Sequence, residues 1–566
     1  MDCFAPLALV IACALSAQAA DLPKPATPLL SAMKLELQHS LGALKGEPLP
    51  PYFLSYAVTE NHNYRVSASL GALTGSDETR SRVLDLDVRV GAPERDNTHA
   101  LRGVAGFDSN ASQSSHFLLP LDDDGPAIRS EIWFKTDEVY KKSVEQLGKV
   151  RTNMQVSVAE EDPSGDFATE PQAESIQAPT DLKLDRAVWE ARLKRLTLPF
   201  RGQADLEGGS ATFQAQATTF CYVNSEGTLL QVPQISVHLV LSAHLRAKDG
   251  MNLHRVATYF ATRPEDLPAE KAMLARAKEL ITELRALRDA PLAEPYTGPA
   301  ILSGRAASVF FHEVFGHRAE GHRLKGEWEG QTFKKMIGQR LLPESMSVYC
   351  DPTLERYGGT TLAGHYLFDD EGVRARRVPL IDQGILKGFL TSRIPIAGFP
   401  ASNGHGRHAP GLAPVTRQSN LVVEATAPVP RARLKELLLA QIKEQNKPYG
   451  LLIDDLDGGF TLTSRILPNS FNLRATLVYQ VYPDGREQLV RGVDLIGTPL
   501  DAFTRVLAAD DQPQVFNGFC GAESGYIPVS AVAPGLLLSQ IEIQKKEQNQ
   551  GLPPILPPPS DPSERR

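Results

Sequence analysis

Apolar residues along the chain change period several times, and each change marks an element. Residues 21–50 begin Pro-rich and then set Leu30, Met33, Leu35 and Leu37 among polar residues, which predicts a first helix. From Tyr52 to about Asp124 the pattern alternates, as in Tyr64–Leu70 (YRVSASL) and Val83–Val90 (VLDLDVRV). Period two with β-branched residues predicts half-buried strands, because successive side chains point to opposite faces. Helical spacing returns over Ser130–Val150. Residues 157–180 collect Glu, Asp, Pro, Ser and Gly with few large apolar residues, the composition of a solvated loop or linker. A short helix near Leu184–Leu196 precedes three further strand patterns, Thr212–Tyr222, Leu229–Ser242 and Asn252–Arg263. Glu265–Arg288 then reads as a long charged amphipathic helix with Leu274, Ala277, Leu280, Ile281 and Leu284 on its apolar side, stopped at Ala290-Pro291.

A compositional boundary falls near 295–300. Beyond it the pattern predicts one helix and then a series of short strands, with Asp382-Gln383-Gly384 as a hairpin turn, Leu452–Phe460 as a turn-rich loop and Asn472–Tyr482 as a strand. The expected organisation is an N-terminal and middle region over 21–298, a sheet-rich C-terminal domain over 299–546 and a disordered Pro-rich tail over 547–566. No internal repeat is visible.

Composition narrows the function. The 566 residues are 42% hydrophobic and 22% charged, as in globular proteins. Fifty-nine Lys plus Arg against 67 Asp plus Glu give a net charge of -8. With no basic footprint, a nucleic-acid partner is not expected. Forty-three Gly and 42 Pro favour turns and sheet over helix. Residues 1–20 pair an apolar run, Phe4–Leu15, with the small-x-small string Ala17-Gln18-Ala19, so export to the periplasm or the medium is expected. Asp2 stands where a signal peptide has a basic residue, and Val10–Cys13 loosely resembles a lipobox that would leave a lipid anchor on Cys13. No apolar run of bilayer-spanning length occurs. Cleavage leaves Cys221, Cys350 and Cys520, an odd number, which is no disulfide framework.

The chemistry concentrates in Ser303–His322 (SGRAASVFFHEVFGHRAEGH). Ser303 is placed to cap a helix whose Ala306, Ala307, Val309 and Phe310 pack inward, with His312 and His317 near its end. Histidines at i and i+4 lie about 40° apart around a helix, whereas the i and i+5 spacing of HExxxH separates them by about 140°. The helix must therefore bulge or end between them, which Gly316 permits. Both imidazoles then reach one metal ion and Glu313 faces a bound water. The same residues also suit a plain polar turn, and spacing alone does not choose. His312 follows Val309-Phe310-Phe311, so the pair projects from an apolar helix.

This segment resembles the TldD/PmbA metallopeptidases, historically labelled modulators of DNA gyrase, whose active members carry an HExxxH helix and a cysteine in a C-terminal G-x-C-G segment. His312, Glu313 and His317 match the helix motif, Glu320-Gly321 its continuation, and Gly518-Phe519-Cys520-Gly521 the cysteine segment. Asp351-Pro352-Thr353, Phe368–Val373 (FDDEGV), Leu380–Leu390 and Asn403-Gly404 with Arg407 follow in family order. The likeness is good over 295–545 and looser over 50–290.

The resemblance implies an α+β, two-lobed architecture, with an α/β N-terminal region and a sheet-rich C-terminal domain carrying the metal site. It further implies Zn²⁺ held by His312, His317 and Cys520. Glu313 would be the general base of an endopeptidase acting on unfolded or extended peptides. The family also implies a homodimer or a heterodimer with a related subunit. His322 stands where the family often has an acidic residue and is a rival third ligand. Cys221 and Cys350 read as buried small hydrophobes. Two other classes fit the sequence: a non-catalytic peptide-binding or scaffold subunit, and a metal-dependent hydrolase of non-peptide amides or esters.

Overall fold

Thr27 caps the first helix, α1 (Pro28–Leu44), accepting a hydrogen bond from the Leu30 N–H, and Pro28 sits where a missing N–H costs nothing. The computed structural model to which this helix belongs describes residues 25–101, 115–154, 161–326, 331–464 and 470–546. The expected leader with Cys13 and the Pro-rich tail lie outside the described residues.

The alternating runs form long strands, β1 (Pro51–Ser69) and β2 (Ala72–Ala92). Two helices follow, α2 (Gly125–Met154) and α3 (Arg186–Thr197). Then come β3 (Gly208–Asn224), β4 (Leu229–Arg246), β5 (Asn252–Ala261) and α4 (Glu270–Asp289). The strands pair antiparallel in the order β2-β1-β3-β4-β5, with Tyr56 opposite Leu86 and Ala215 opposite Val237. Because side chains alternate, one face of this sheet is mostly apolar, broken midway by the Glu60–Arg82 ion pair. Tyr56, Val58 and Leu86 pack under α1 and α2, and Val66, Phe213 and Leu239 pack under α3 and α4. On the opposite face Ala57, Phe220 and Tyr222 meet Phe368 from the C-terminal half.

In the stretch expected to be a solvated loop, residues 169–180 are exposed or half-buried, with one short strand over Glu174–Ile176, but the segment just before them is anchored in the protein. Asp162, Asp166, Phe167 and Ala168 are buried. Ala168 donates its N–H to the Arg393 carbonyl (2.8 Å), Asp162 accepts from the Ala397 N–H (2.9 Å), and Glu170 accepts from the Ser402 N–H (2.6 Å). The fully buried Arg393 stacks on Phe167 at 4.0 Å and donates to the Ala168 carbonyl and to Glu226. Acidic side chains that look solvated in sequence here satisfy backbone donors.

Arg393 also donates its N–H to Glu371 (2.7 Å), one of the FDDEGV carboxylates. Burial pushes Glu371 from 4.5 up to about 7, against the opposing pull of Arg393 and Arg89. A carboxyl whose folded value is raised binds more protons folded than unfolded, so its contribution is complete below about 4.5 and is lost as pH rises through about 7. Glu371→Gln is therefore expected to flatten the fall in melting temperature between about pH 5 and 8. Parallel thermal melts of both chains over that range check it, and an unchanged slope would refute the assignment.

In the C-terminal half, β6 (Tyr296–Leu302) leads directly into α5 (Gly304–Val314). A mixed sheet is then built from β7 (Met346–Cys350), β8 (Val378–Asp382) and β9 (Asn420–Ala425). After α6 (Arg431–Glu444) come β10 (Gly450–Thr461), β11 (Phe471–Val481) and β12 (Val493–Gly497). The last strands are β13 (Gln514–Ala522), β14 (Gly525–Ala533) and β15 (Leu536–Lys545). The order β10-β6-β15-β12-β11 returns to β10, so these five strands close on themselves. The mixed sheet runs β8-β7-β9-β14-β13, with β9 parallel to β14 and β13 at the edge. Between ring and sheet lies α5, whose Phe310 and Phe311 pack with Phe471, Phe503 and Ala531.

The Gln383-Gly384 turn forms as expected, with φ of 46° and 77°, pairing Asp382 with Ile385. Two expectations fail. Residues 452–460 are strand, not loop: β10 is bulged at three places, which breaks the period that would have revealed it. Its acids serve as partners, Asp455 to Arg305 and Arg255 (2.7 Å each) and Asp457 to His254 (2.8 Å). A second long helix, α6, interrupts the predicted series of short strands; Leu434, Leu438 and Ile442 recur every four residues and pack on Ile301 and Leu537. Among the described residues no helix is long and apolar enough to cross a membrane.

Candidate metal centre

Ser303 accepts from the Ala306 N–H and starts α5 as the sequence requires. The helix ends at Val314, and Gly316–Arg318 form a single tighter turn. Termination, rather than a bulge within the helix, resolves the unfavourable spacing. It turns His317 back toward His312, with ring centroids 5.1 Å apart. Gly316 is required by packing: a Cβ there would lie 1.8 Å from Oε1 of Gln418.

Strand β13 brings Cys520 to the same place from 203 residues away. Its Sγ lies 3.3 Å from Nε2 of His317. One donor atom from each of His312, His317 and Cys520 falls within 4.8 Å of the others, and all three residues are buried. Donors around a tetrahedral zinc ion stand about 3.6 Å apart, so the cluster has the right scale. Nδ1 of His312 is buried without a hydrogen-bond partner, a cost that a burial serving packing alone would not explain. The residues present fit a metal ion. Glu313, also buried, sets Oε2 3.9 Å from Nε2 of His317, beside the donors.

The electrostatics favour a thiolate at Cys520. Burial alone would raise the Cys520 thiol, but the imidazoles of His317 and His312 outweigh it and bring it well below 9.0. Burial would lower His317, yet the Cys520 sulfur and the Glu320 carboxylate hold it well above 6.5. Nδ1 of His317 donates to Glu320 (3.1 Å), leaving Nε2 for the cluster, the arrangement in which a carboxylate orients a metal-binding histidine.

His322 does not join the three donors. Its Nε2 pairs with Glu523, whose other oxygen takes Arg323 at 2.9 Å. Cys221 and Cys350 are free thiols, both buried, with burial pushing them to about 12 and about 11. Asn403 and Arg407 are supports: Asn403 accepts from the Thr391 N–H, and Arg407 donates to the carbonyls of Gln418 and Pro528. Sequence reasoning missed Arg318, which caps the carbonyls of Glu313 and Val314 and donates to the Leu462 carbonyl on the β10–β11 hairpin. It also missed the roles of Arg417 and Gln418. Glu320, three residues past His317, was the one support with a local signal.

Residues 295–545 match the profile of the PmbA/TldA metallopeptidase C-terminal domain. A metalloprotease of Archaeoglobus fulgidus is 27% identical over 263 residues, 46% of this chain and 56% of that protein. One of Methanocaldococcus jannaschii is 31% identical over 232 residues, 40% and 47% of the two chains. The matched part of this chain thus spans about half the length of those two relatives. A metalloprotease of Methanothermobacter thermautotrophicus is 24% identical over 70% of this chain and 81% of its own. TldE from Thermococcus kodakarensis superimposes with a TM-score of 0.56 at 14% identity, over 91% of this chain and all of that one. A Thermotoga maritima protein solved as a candidate modulator of a DNA gyrase gives 0.59 at 14% identity, over 90% and 99% of the two chains. The fold is that of these proteins, and residues 295–545 carry the similarity to the PmbA/TldA metallopeptidase C-terminal domain.

Proposed function

We propose that this chain is a zinc-dependent endopeptidase acting on unfolded or extended peptides. The observation that carries the reading is the buried His312/His317/Cys520 cluster with Glu313 beside it. When bound, zinc supplies Lewis acidity, polarising the scissile carbonyl and making water a stronger nucleophile. His312, His317 and Cys520 hold the ion. Glu313 takes the proton of the attacking water and gives it to the leaving amine. Glu320 keeps the His317 ring turned toward the cluster.

The placement of Cys520 supports an extended substrate. It lies on β13, the outer strand of its sheet. The carbonyls of Gln514 and Cys520 are taken by Ser308 and Arg417, and the span between them is where a peptide would add as a strand. Recognition through backbone groups gives weak side-chain preference, so the substrate is selected by its unfolded state. Export through residues 1–20 and assembly with a second copy or a related subunit belong to the same reading.

Purified full-length chain loaded with zinc is expected to cleave a reduced, unfolded protein and to leave its native form intact, with activity lost to a chelator and regained with zinc. Cleavage that survives complete metal removal, or hydrolysis of small non-peptide amides alone, would refute the proposal.

A further inference from the structure

Three residues outside the ligand set touch all three ligand-bearing segments at once. Glu320 is fully buried; it accepts from Nδ1 of His317 (3.1 Å) and from Nε of Arg323 (2.9 Å). Arg417, fully buried too, places Nε 3.6 Å from Glu320 and donates through Nη2 to the Cys520 carbonyl (2.7 Å). Its other arm reaches the Ser524 hydroxyl (2.8 Å) and the Gly525 carbonyl (3.1 Å), fixing the turn that follows Cys520. Gln418, the next residue, donates its side-chain amide to the His312 carbonyl (3.3 Å) and its backbone N–H to Glu320 (3.4 Å). His312 thus answers to Gln418, His317 to Glu320 and Cys520 to Arg417, and those three contact one another.

We infer that Glu320, Arg417 and Gln418 form one positioning unit that holds the three ligand residues together before metal binds. The inference rests on the metal reading above. The unit answers a problem of topology: His312 and His317 sit on a helix end, Cys520 on an edge strand some 200 residues later, and no backbone ladder joins the two. A guanidinium has several donors in a fixed fork, so a single Arg417 can grip the β13–β14 hairpin while facing Glu320. A lysine in its place offers a point charge that cannot span those positions. Gln418 occupies the space that Gly316 leaves vacant, so the glycine and the glutamine are two halves of one fit. The three act through the His312 and Cys520 carbonyls and Nδ1 of His317, on the backbone or the far side of the ring, so they are positioning residues.

The test is zinc affinity of the full-length chain, measured by competition with a chromophoric chelator well below the melting temperature. Glu320→Gln, Arg417→Lys, Gln418→Ala and Gly316→Ala are each expected to weaken zinc binding by about 10–100-fold, the range for loss of an outer-shell partner. Cobalt(II) replacing zinc gives a second readout. The thiolate-to-cobalt charge-transfer band should shift or weaken in Arg417→Lys, which removes the grip on the Cys520 carbonyl. Arg393→Lys, at a buried arginine whose partners are Ala168, Glu226 and Glu371, should lower the melting temperature and leave affinity within about twofold, separating positioning from general stability. Glu320→Gln breaks a buried charge network and can unfold the chain, so Gln418→Ala and Gly316→Ala decide independently. Folded variants that keep wild-type affinity and the wild-type cobalt spectrum overturn the inference. A wild-type chain that takes up no zinc overturns the metal reading itself, and the inference with it.

Discussion

Cys520→Ser is expected to abolish stable zinc binding, and with it activity. A serine hydroxyl stays protonated where the thiolate does not, and it is a poor ligand beside two imidazoles. The loss should exceed the roughly 10–100-fold that an outer-shell partner costs, because the sulfur is one of only three donors in the cluster. Elemental analysis of wild type beside Cys520→Ser and His317→Ala checks it. Near one zinc per chain in the wild type and none in either variant is the expected pattern. Zinc retained without Cys520 would direct attention to His322, which the structure instead engages with Glu523. The serine side chain is smaller and polar, but Cys520 packs mainly against Ile527 and Val529 near the end of a hairpin, so the fold should survive. A folded, metal-free chain is therefore the diagnostic result, and circular dichroism distinguishes it from unfolding.

The second large effect separates catalysis from binding. Glu313→Gln is expected to keep zinc and lower kcat by about 10²–10⁴-fold, the range for loss of a general base. The amide preserves the side chain's shape and removes its ability to accept the proton. KM should change little, since Glu313 is asked to act on the water and the leaving amine rather than to hold the peptide. Loss of zinc in this variant would instead make Glu313 a ligand. Full activity with zinc in place would assign the base to another residue. Because Glu313 is buried beside the donors, the metal content of the same preparation must accompany the kinetics.

Glu313 is a residue that the sequence announces by itself, and the reason is local, whereas Cys520 came only with the family resemblance. HExxxH lies within six consecutive positions after an apolar helix, and Ser303 marks where that helix starts, so pattern and capping suffice to find it. Alternation likewise located β1, β2, β3, β4 and β5, because each buries one face and period two is preserved over many residues. Strand β10 escaped because its bulges interrupt the alternation and its acids face partners on other elements. Residues 161–170 escaped for a related reason: polar composition indicates solvent only when no buried donor is waiting, and here backbone N–H groups of residues 397 and 402 were.

By itself, then, the sequence determined the elements with intact period, the two histidines, the glutamate, and the need for the helix to end near Gly316. Cys520 was named only through a family resemblance; the tertiary structure shows it beside the two histidines, with His322 engaged elsewhere and Arg417 and Gln418 in support. The physical reason is distance along the chain. Periodicity and capping act within a few residues, whereas a ligand set closed across 203 residues exists only once β13 has docked beside α5, and no local pattern encodes that contact.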